Sequence, residues 1–447
     1  MNTSTLPVVA PSDPDHAADV AGYNRIVTHR PRLVVGARTT SDVVAAVRYA
    51  ADAGLTVGVQ ATGHGVGVAA DGVLVSTRRM RAVRVDPTTR TVRVAAGARG
   101  RDLTTALVPH GLAPLGGSSP DVGVVGYHLG GGLPLLGRTF GYAADRVRAL
   151  DVVTADGTPR TVTPDTEPDL FWALLGCRGS FGVVTALVTE ALPLTSVVGG
   201  GLWFTGDAIA PAVHRWVEWT AGLPETMNSS VLIMRLPDVP AIPETVRGRR
   251  IAHVRIAHVG RPAEAAALLA PLRAVGPVRD TVTELPVGAL GSIHDEPSGP
   301  VVFESRNSLL GPLDRAGAAA LLEHTDSDAF LVEVRHLGGA LARADGRAVV
   351  GRRDGEFVLY TGSALATPVD REPAAAAQAR LHEALGPWGI GAVTPAFLAG
   401  PHVGRADLRS AYRPGDRARL RDVKRRWDPA DMFRVAQVGT AAVLDDE

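Results

Sequence analysis

Residues 60–67 read Gln60-Ala61-Thr62-Gly63-His64-Gly65-Val66-Gly67, and this loop constrains the chain more than any other stretch. It sets one histidine on a backbone almost free of side chains. Glycine permits positive φ and lets the main chain approach a ligand closely. Successive N–H groups in such a loop can cradle an anion such as a pyrophosphate. His64 could also bond covalently to a cofactor. The plainer alternative is a glycine turn carrying an exposed histidine.

The elements around the loop are regular. Residues 41–53 read as a helix, with Ser41 at the N-cap, Val43, Val44 and Val47 in apolar spacing, and Gly54 at the end. A buried strand over 55–59 leads into the loop, and 31–35 supplies an earlier strand for a βαβ-like start. Residues 82–96 read as a hairpin turning at Asp86-Pro87-Thr88-Thr89, and 150–163 as a second one around Asp156-Gly157. A short helix over 169–175 and a strand over 182–192 complete a mixed α+β unit ending near 195.

From 196 the texture changes. Ala- and Leu-rich helices are expected over 261–275, 313–323 and 372–385. Strands are expected over 229–235, 250–258, 330–335 and 356–361. This loose alternation predicts a second α+β unit, a sheet covered on one face. A charged helix is expected over 405–426, stopped by Trp427-Asp428-Pro429.

Bulk composition excludes several function classes. The 46 basic and 46 acidic residues cancel, so no nucleic-acid or anionic-membrane footprint is present. Cys177 is the sole cysteine, which rules out an intrachain disulfide and two-cysteine metal sites, and no metal is expected. Residues 1–19 lack a basic start and an apolar run, and no stretch approaches ~18 uninterrupted apolar residues. A cytoplasmic protein without a membrane span is expected.

A second glycine cluster runs from Gly116 to Gly132, including Ser118, Ser119, Val122, Gly123, Gly126 and Gly130-Gly131-Gly132. A nicotinamide-binding reading needs a strand, the glycines and then a helix. Pro120 and Pro134 interrupt that context, so it is rejected. Two glycine-rich loops still suggest a long phosphate-bearing ligand lying along a backbone surface.

Several motifs follow one another in a recognisable order. They are Thr62-Gly63-His64-Gly65, residues 81–87, Ser119-Pro120-Asp121-Val122-Gly123 and Leu129-Gly130-Gly131-Gly132. Asp169-Leu170-Phe171-Trp172-Ala173, Gly179-Ser180-Phe181-Gly182-Val183-Val184-Thr185 and residues 423–434 come next. The set resembles the FAD-linked oxidases of the vanillyl-alcohol-oxidase (PCMH-type) fold, in the berberine-bridge-enzyme and 6-hydroxy-D-nicotine-oxidase branch. The likeness is strong over 27–195 and 405–435 and weaker between.

The resemblance implies an α+β chain with a bipartite FAD-binding domain. Residues 27–195 and a C-terminal segment, 405–447, would form it around an inserted substrate domain, 196–404. It places Ala61, Thr62, Gly63, His64, Gly65, Ser118, Ser119, Val122, Gly123, Gly126, Gly130, Gly131, Gly132, Gly141, Gly182, Val183 and Val184 at the cofactor. His64 would bond to the flavin. Ser119 stands where related enzymes often carry a second flavin-bonding cysteine, so a single covalent link is expected.

The family's Tyr-x-Asn motif is replaced by Phe397-Leu398-Ala399, and phenylalanine cannot accept a proton. Replacement groups come from the substrate unit: Glu333, His336, Tyr360 and His402, with Arg335 and Tyr412 nearby. Alternation puts Glu333 and Arg335 on one strand face and His336 on the other. His128, Trp216, Trp219 and Cys177 read as structural. The implied activity is oxidation of a small secondary-metabolite-like amine or alcohol by hydride transfer, with molecular oxygen as acceptor, in a monomer or homodimer. A dehydrogenase or oxidative cyclase, and a non-catalytic binding protein on the same fold, remain alternatives.

Overall fold

The computed structural model describes residues 6–325 and 331–436. Among them three sheets organise the chain. Leu33–Gly36, Val73–Ser76 and Val57–Gln60 form a small parallel sheet with Val73–Ser76 in the middle. An antiparallel sheet of five follows in the order Val83–Asp86, Thr91–Ala95, Val183–Glu190, Val147–Val153, Pro159–Val162. Both expected hairpins are present in it.

The helix Thr40–Ala53 shows how local sequence sets this part. Thr39 accepts from the Asp42 amide while Asp42 reaches back to the Thr39 amide, and Gly54 ends the helix in a left-handed turn. Val43, Ala46, Val47 and Ala50 form its buried stripe. They share a core with Val153 and Val183 of the five-stranded sheet, and with Met432 and Phe433 of the C-terminal tail.

The third sheet is antiparallel throughout and has nine strands among the described residues. Arg279–Asp280 and Thr283–Pro286 both pair with Ser196–Thr205 at one edge. Arg250–His258, Met227–Arg235, Leu331–His336, Phe357–Leu365, Val302–Leu310 and Gly389–Ala392 follow. Residue 330, the first of an expected strand, lies outside the described residues.

One face of this sheet is apolar. Phe204, Val254, Ile256, Val231, Ile233, Val332, Val334, Phe357 and Leu359 pack there under the helices Ile209–Thr220, Pro262–Arg273, Arg315–His324 and Arg371–Ala384. Trp216 belongs to this core, fully buried with its indole N–H donating to Ser229 at 2.9 Å. Trp219 lies partly buried at its margin, bonded to the Leu268 carbonyl.

The single helix expected over 405–426 is two helices, Arg405–Ala411 and Pro414–Trp427. Pro414 forces Arg413 into the extended region, which breaks the run. The second helix carries the chain's only lysine. Lys424 is wholly buried, with Nζ 2.8 Å from the Ser180 carbonyl and 2.7 Å from Asp428 Oδ2. Asp428 also accepts the amides of Met432 and Phe433. The Met432 carbonyl then receives the Val57 amide, at the start of the strand that feeds the His64 loop. Residues 437–447 of the expected C-terminal segment lie outside the described residues.

Removing one partner of such a buried pair strands the other charge. Lys424→Met should therefore destabilise the protein by about 3 kcal/mol. Denaturant unfolding would read this, and an unchanged midpoint would show that the pair does not hold the tail.

Candidate functional site

Two walls meet between the sheets. The first is built from the glycine loops. Gly63 has φ +69°, and a Cβ there would sit 2.3 Å from the Gly22 Cα, so no other residue fits without rearrangement. This closeness lets the chain at Tyr23 and Asn24 bond along the loop. Their amides donate to the Thr62 and Gly63 carbonyls at 2.8 and 3.1 Å. The Tyr23 ring then stacks on the His64 imidazole, 3.9 Å between centroids and 11° between planes.

His64 Nδ1 lies 2.9 Å from the Thr62 hydroxyl, while Nε2 is buried without a partner. Burial pushes the imidazole down to about 4; nearby Asp121 works against this and Arg99 with it. His64 is therefore neutral at physiological pH, with one ring nitrogen uncommitted. Thr62 Oγ1 also accepts the Gly123 amide at 3.2 Å, which locks the two glycine loops together.

Arg178 closes this wall. Its Nη1 donates to the Gly65 carbonyl at 2.5 Å, and its Nε approaches Gly130. Among the described residues no carboxylate pairs with it. A desolvated arginine between three glycine motifs suits a phosphate. The sequence reading missed Arg178, Tyr23 and Asn24. Only position marked the first, between Cys177 and the Gly179 motif, and nothing in composition marked the other two.

The remaining cofactor candidates divide. Ala61, Thr62, Gly63, His64, Gly65 and Gly123 share the locked loops, and Gly130 joins them through Arg178. Ser119 accepts the Asp121 amide within its turn, and Ser118 bonds Glu296. The Val122 carbonyl receives the Gly100 amide. Gly126 lies in the helix Val124–Leu129 facing open space. Gly131 and Gly132 are both left-handed and pack against Val350 and Tyr127. Gly182 precedes Val183 and Val184, which are buried sheet positions paired with Val153 and Val152. Gly141 has Asp145 and Ala340 as its neighbours.

The second wall is the polar face of the large sheet. Register aligns Trp203 with His253, Arg255 with Ser230, Ser230 with Arg335, and Glu333 with Tyr360. Glu333 is 6% exposed. It accepts from Arg255 at 3.3 Å and from Arg335 at 3.1 Å. Burial alone raises its carboxyl, but the arginines outweigh burial and hold it well below the usual range. Burial pushes His253 and His294 well down, so both are neutral. Burial also raises the Tyr360 hydroxyl, against a hydrogen bond with Ser305. Phe397 packs on Tyr360 at 5.1 Å and lies beneath the Arg335 guanidinium at 5.5 Å.

Of the four catalytic candidates, only Glu333 and Tyr360 come together. His336 lies on the opposite face as its alternation required, stacked on Phe357 and 3.0 Å from Arg138 Nη1. His402 lies apart from the pair, with Nδ1 2.7 Å from the buried Glu304 carboxylate. The neighbouring Gly400 amide donates to Val66, so the His402 loop touches the His64 loop. Tyr412 is buried and donates to the Gly176 carbonyl, a structural placement. Cys177 is also buried, 3.5 Å from the Tyr412 hydroxyl, and burial pushes its thiol up to about 12. His128 is buried with Nδ1 on the Val124 carbonyl.

The chain is similar to known proteins. Residues 31–163 match the family described as FAD binding domain. Xylooligosaccharide oxidase of Thermothelomyces thermophilus is 31% identical over 244 residues, 52% of this chain and 49% of that protein. (R)-6-hydroxynicotine oxidase of Paenarthrobacter nicotinovorans is 30% identical over 226 residues, 49% of this chain and 48% of that protein. The chain thus spans about half the length of these curated relatives in its matches. A crystal structure of 6-hydroxy-D-nicotine oxidase from Arthrobacter nicotinovorans superposes with TM-score 0.86 at 22% identity, over 97% of both chains.

The buried histidines predict a pH dependence. His64 and His128 are pushed down to about 4, and His336 and His382 to about 3, each mainly by burial. A histidine depressed in the folded state contributes its full stability above its unfolded value of about 6.5. That stability is lost as pH falls towards the folded value. The melting temperature should therefore decline between pH 6.5 and 4.5, before most carboxylates titrate. A flat profile across that window would contradict neutral buried imidazoles.

Proposed function

We propose that this chain, with an FAD-binding domain on the vanillyl-alcohol-oxidase fold, is an FAD-dependent oxidoreductase acting on a small molecule held against the polar face of its large sheet. The observation that carries this reading is the neutral, buried His64 with its unpartnered Nε2, set in a glycine loop of the matched domain. That nitrogen is free to form one covalent bond to a flavin. Ser119 offers no thiol for a second.

The residues present fit the cofactor. The amides around Gly63 and Gly65 suit a pyrophosphate, and Arg178 supplies a cation to it. Bound FAD would accept hydride from a C–H next to nitrogen or oxygen and pass the electrons to molecular oxygen, giving hydrogen peroxide. The protein's task is then to orient the substrate and exclude water. Tyr23 covers one side of the His64 ring, and its hydroxyl donates to the Pro297 carbonyl at 3.1 Å, joining the substrate unit.

The polar wall bears on the substrate class. Glu333 is ionised and engaged by two arginines, so it is a weak base. Tyr360 keeps its proton. Neither supplies the proton acceptor that an alcohol needs. A neutral amine loses hydride without one, and the guanidinium charges of Arg255 and Arg335 disfavour its ammonium form. An amine substrate is the better supported of the two. A dehydrogenase on the same site would reduce its flavin but release no peroxide.

The test is an absorption spectrum of the purified protein before and after acid precipitation. Yellow colour should stay with the pellet in the wild type and leave it in His64→Ala. Colour released from wild type would remove the covalent bond but keep the flavoprotein. A colourless protein unable to take up FAD would overturn the reading.

A further inference from the structure

We infer that the buried Arg255–Arg335 pair forms a carboxylate-recognition site, so that the substrate of this chain carries a carboxylate as well as its oxidisable carbon. The inference rests on the placement of substrate against the polar face of the large sheet, and it adds the chemical class. Arg255 is 8% exposed and Arg335 is nearly as buried, yet they share one carboxylate, Glu333. The Nε–H groups of both arginines are buried without a hydrogen-bond partner. A buried guanidinium with an idle donor and no full counter-charge is costly unless a ligand completes it.

The surroundings do not supply the missing charge. A cleft of about 20 Å³ is lined by Arg138, Arg255, Arg335, Ser230, His294 and His336. Arg138 spends its N–H groups on neutral acceptors, among them the Met227 carbonyl at 2.9 Å and the Leu223 carbonyl at 3.2 Å, and the carboxylate whose field reaches it is Glu225, away from the pair. His294 and His336 are neutral. Glu296 is the other carboxylate whose field reaches the pair. Its side chain is 38% exposed, in contact with solvent, and bonded to Ser118. The cleft has room for one water-sized group, the size of a single carboxylate oxygen.

The site adjoins the other wall. Arg335 interacts electrostatically with Tyr127, which packs on Gly117 and Gly132 of the second glycine cluster. The Tyr127 hydroxyl is itself buried without a partner. A carboxylate anchored on Arg255 and Arg335 would thus hold its substrate where the sheet faces the glycine loops. A planar guanidinium pair is well matched to that group, since each can offer parallel N–H donors.

Isothermal titration calorimetry of the FAD-loaded protein in chloride-free buffer tests this, with benzoate and its neutral isostere benzamide as probes. Benzoate should bind at least about tenfold more tightly than benzamide, as expected for a charge-assisted hydrogen bond. Arg255→Met should bring benzoate down to the affinity of benzamide. Glu333→Gln, which removes the competing negative charge, should make benzoate bind more tightly. Opposite shifts in the two variants are not expected of a merely structural cluster. Equal binding of the two probes by wild type would overturn the inference, whether or not the variants fold. A protein that takes up no FAD yet prefers benzoate would leave this site standing and remove the oxidase reading. An FAD-loaded protein with no preference would do the reverse.

Discussion

The structure turns on a sheet whose two faces cannot be treated alike. One face of the nine-stranded sheet is aliphatic and aromatic, and four helices cover it. The other carries His253, Arg255, Glu333, Arg335 and Tyr360, with Ser230 on the strand between the two arginines. Burying such a face against another apolar surface would strand charge at great cost. It is stable only if its charges pair with each other and if what it meets is polar. The glycine loops and their idle imidazole meet that requirement. The interior between the two units is polar by construction, and that is where a polar ligand belongs.

Chain connectivity holds the walls in register. Asn24 accepts the Phe303 amide and donates to the Phe303 carbonyl, while its own backbone lies along the His64 loop. At the other end, Lys424 and Asp428 tie the C-terminal tail to Ser180 and, through Met432, to the strand that leads to His64. Residues distant in sequence therefore converge on one loop. The hydrogen-bonded segments are short, so the precision at His64 comes from several anchors and not from one rigid element.

Much of the frame was legible in the sequence because it rests on local rules. The Thr40–Ala53 helix announced itself by its apolar spacing and Gly54, and both hairpins by their turn residues. The alternation that set Glu333 and Arg335 against His336 follows from strand geometry alone. Among the strands that escaped notice, three did so for identifiable reasons. Ser196–Thr205 contains Gly199-Gly200-Gly201, which reads as a loop. A Cβ on Gly201 would lie 2.0 Å from His253 Nε2, so the glycine makes room for that ring. Val302–Leu310 carries Glu304, Arg306, Asn307 and Ser308, a polarity that hides a strand buried between neighbours. Gly389–Ala392 has too few apolar residues to signal. The ion pairs of Arg255 and the stacking of Tyr23 on His64 depend on long-range packing, which no local pattern carries.

A crystal structure of the protein loaded with FAD tests these placements most directly. The flavin should be bonded to His64, with its pyrophosphate against the Gly63 and Gly65 amides and Arg178, and its ring facing Arg335 and Tyr360 across the gap. A flavin bound elsewhere, or a ring turned away from the polar face of the sheet, would contradict them.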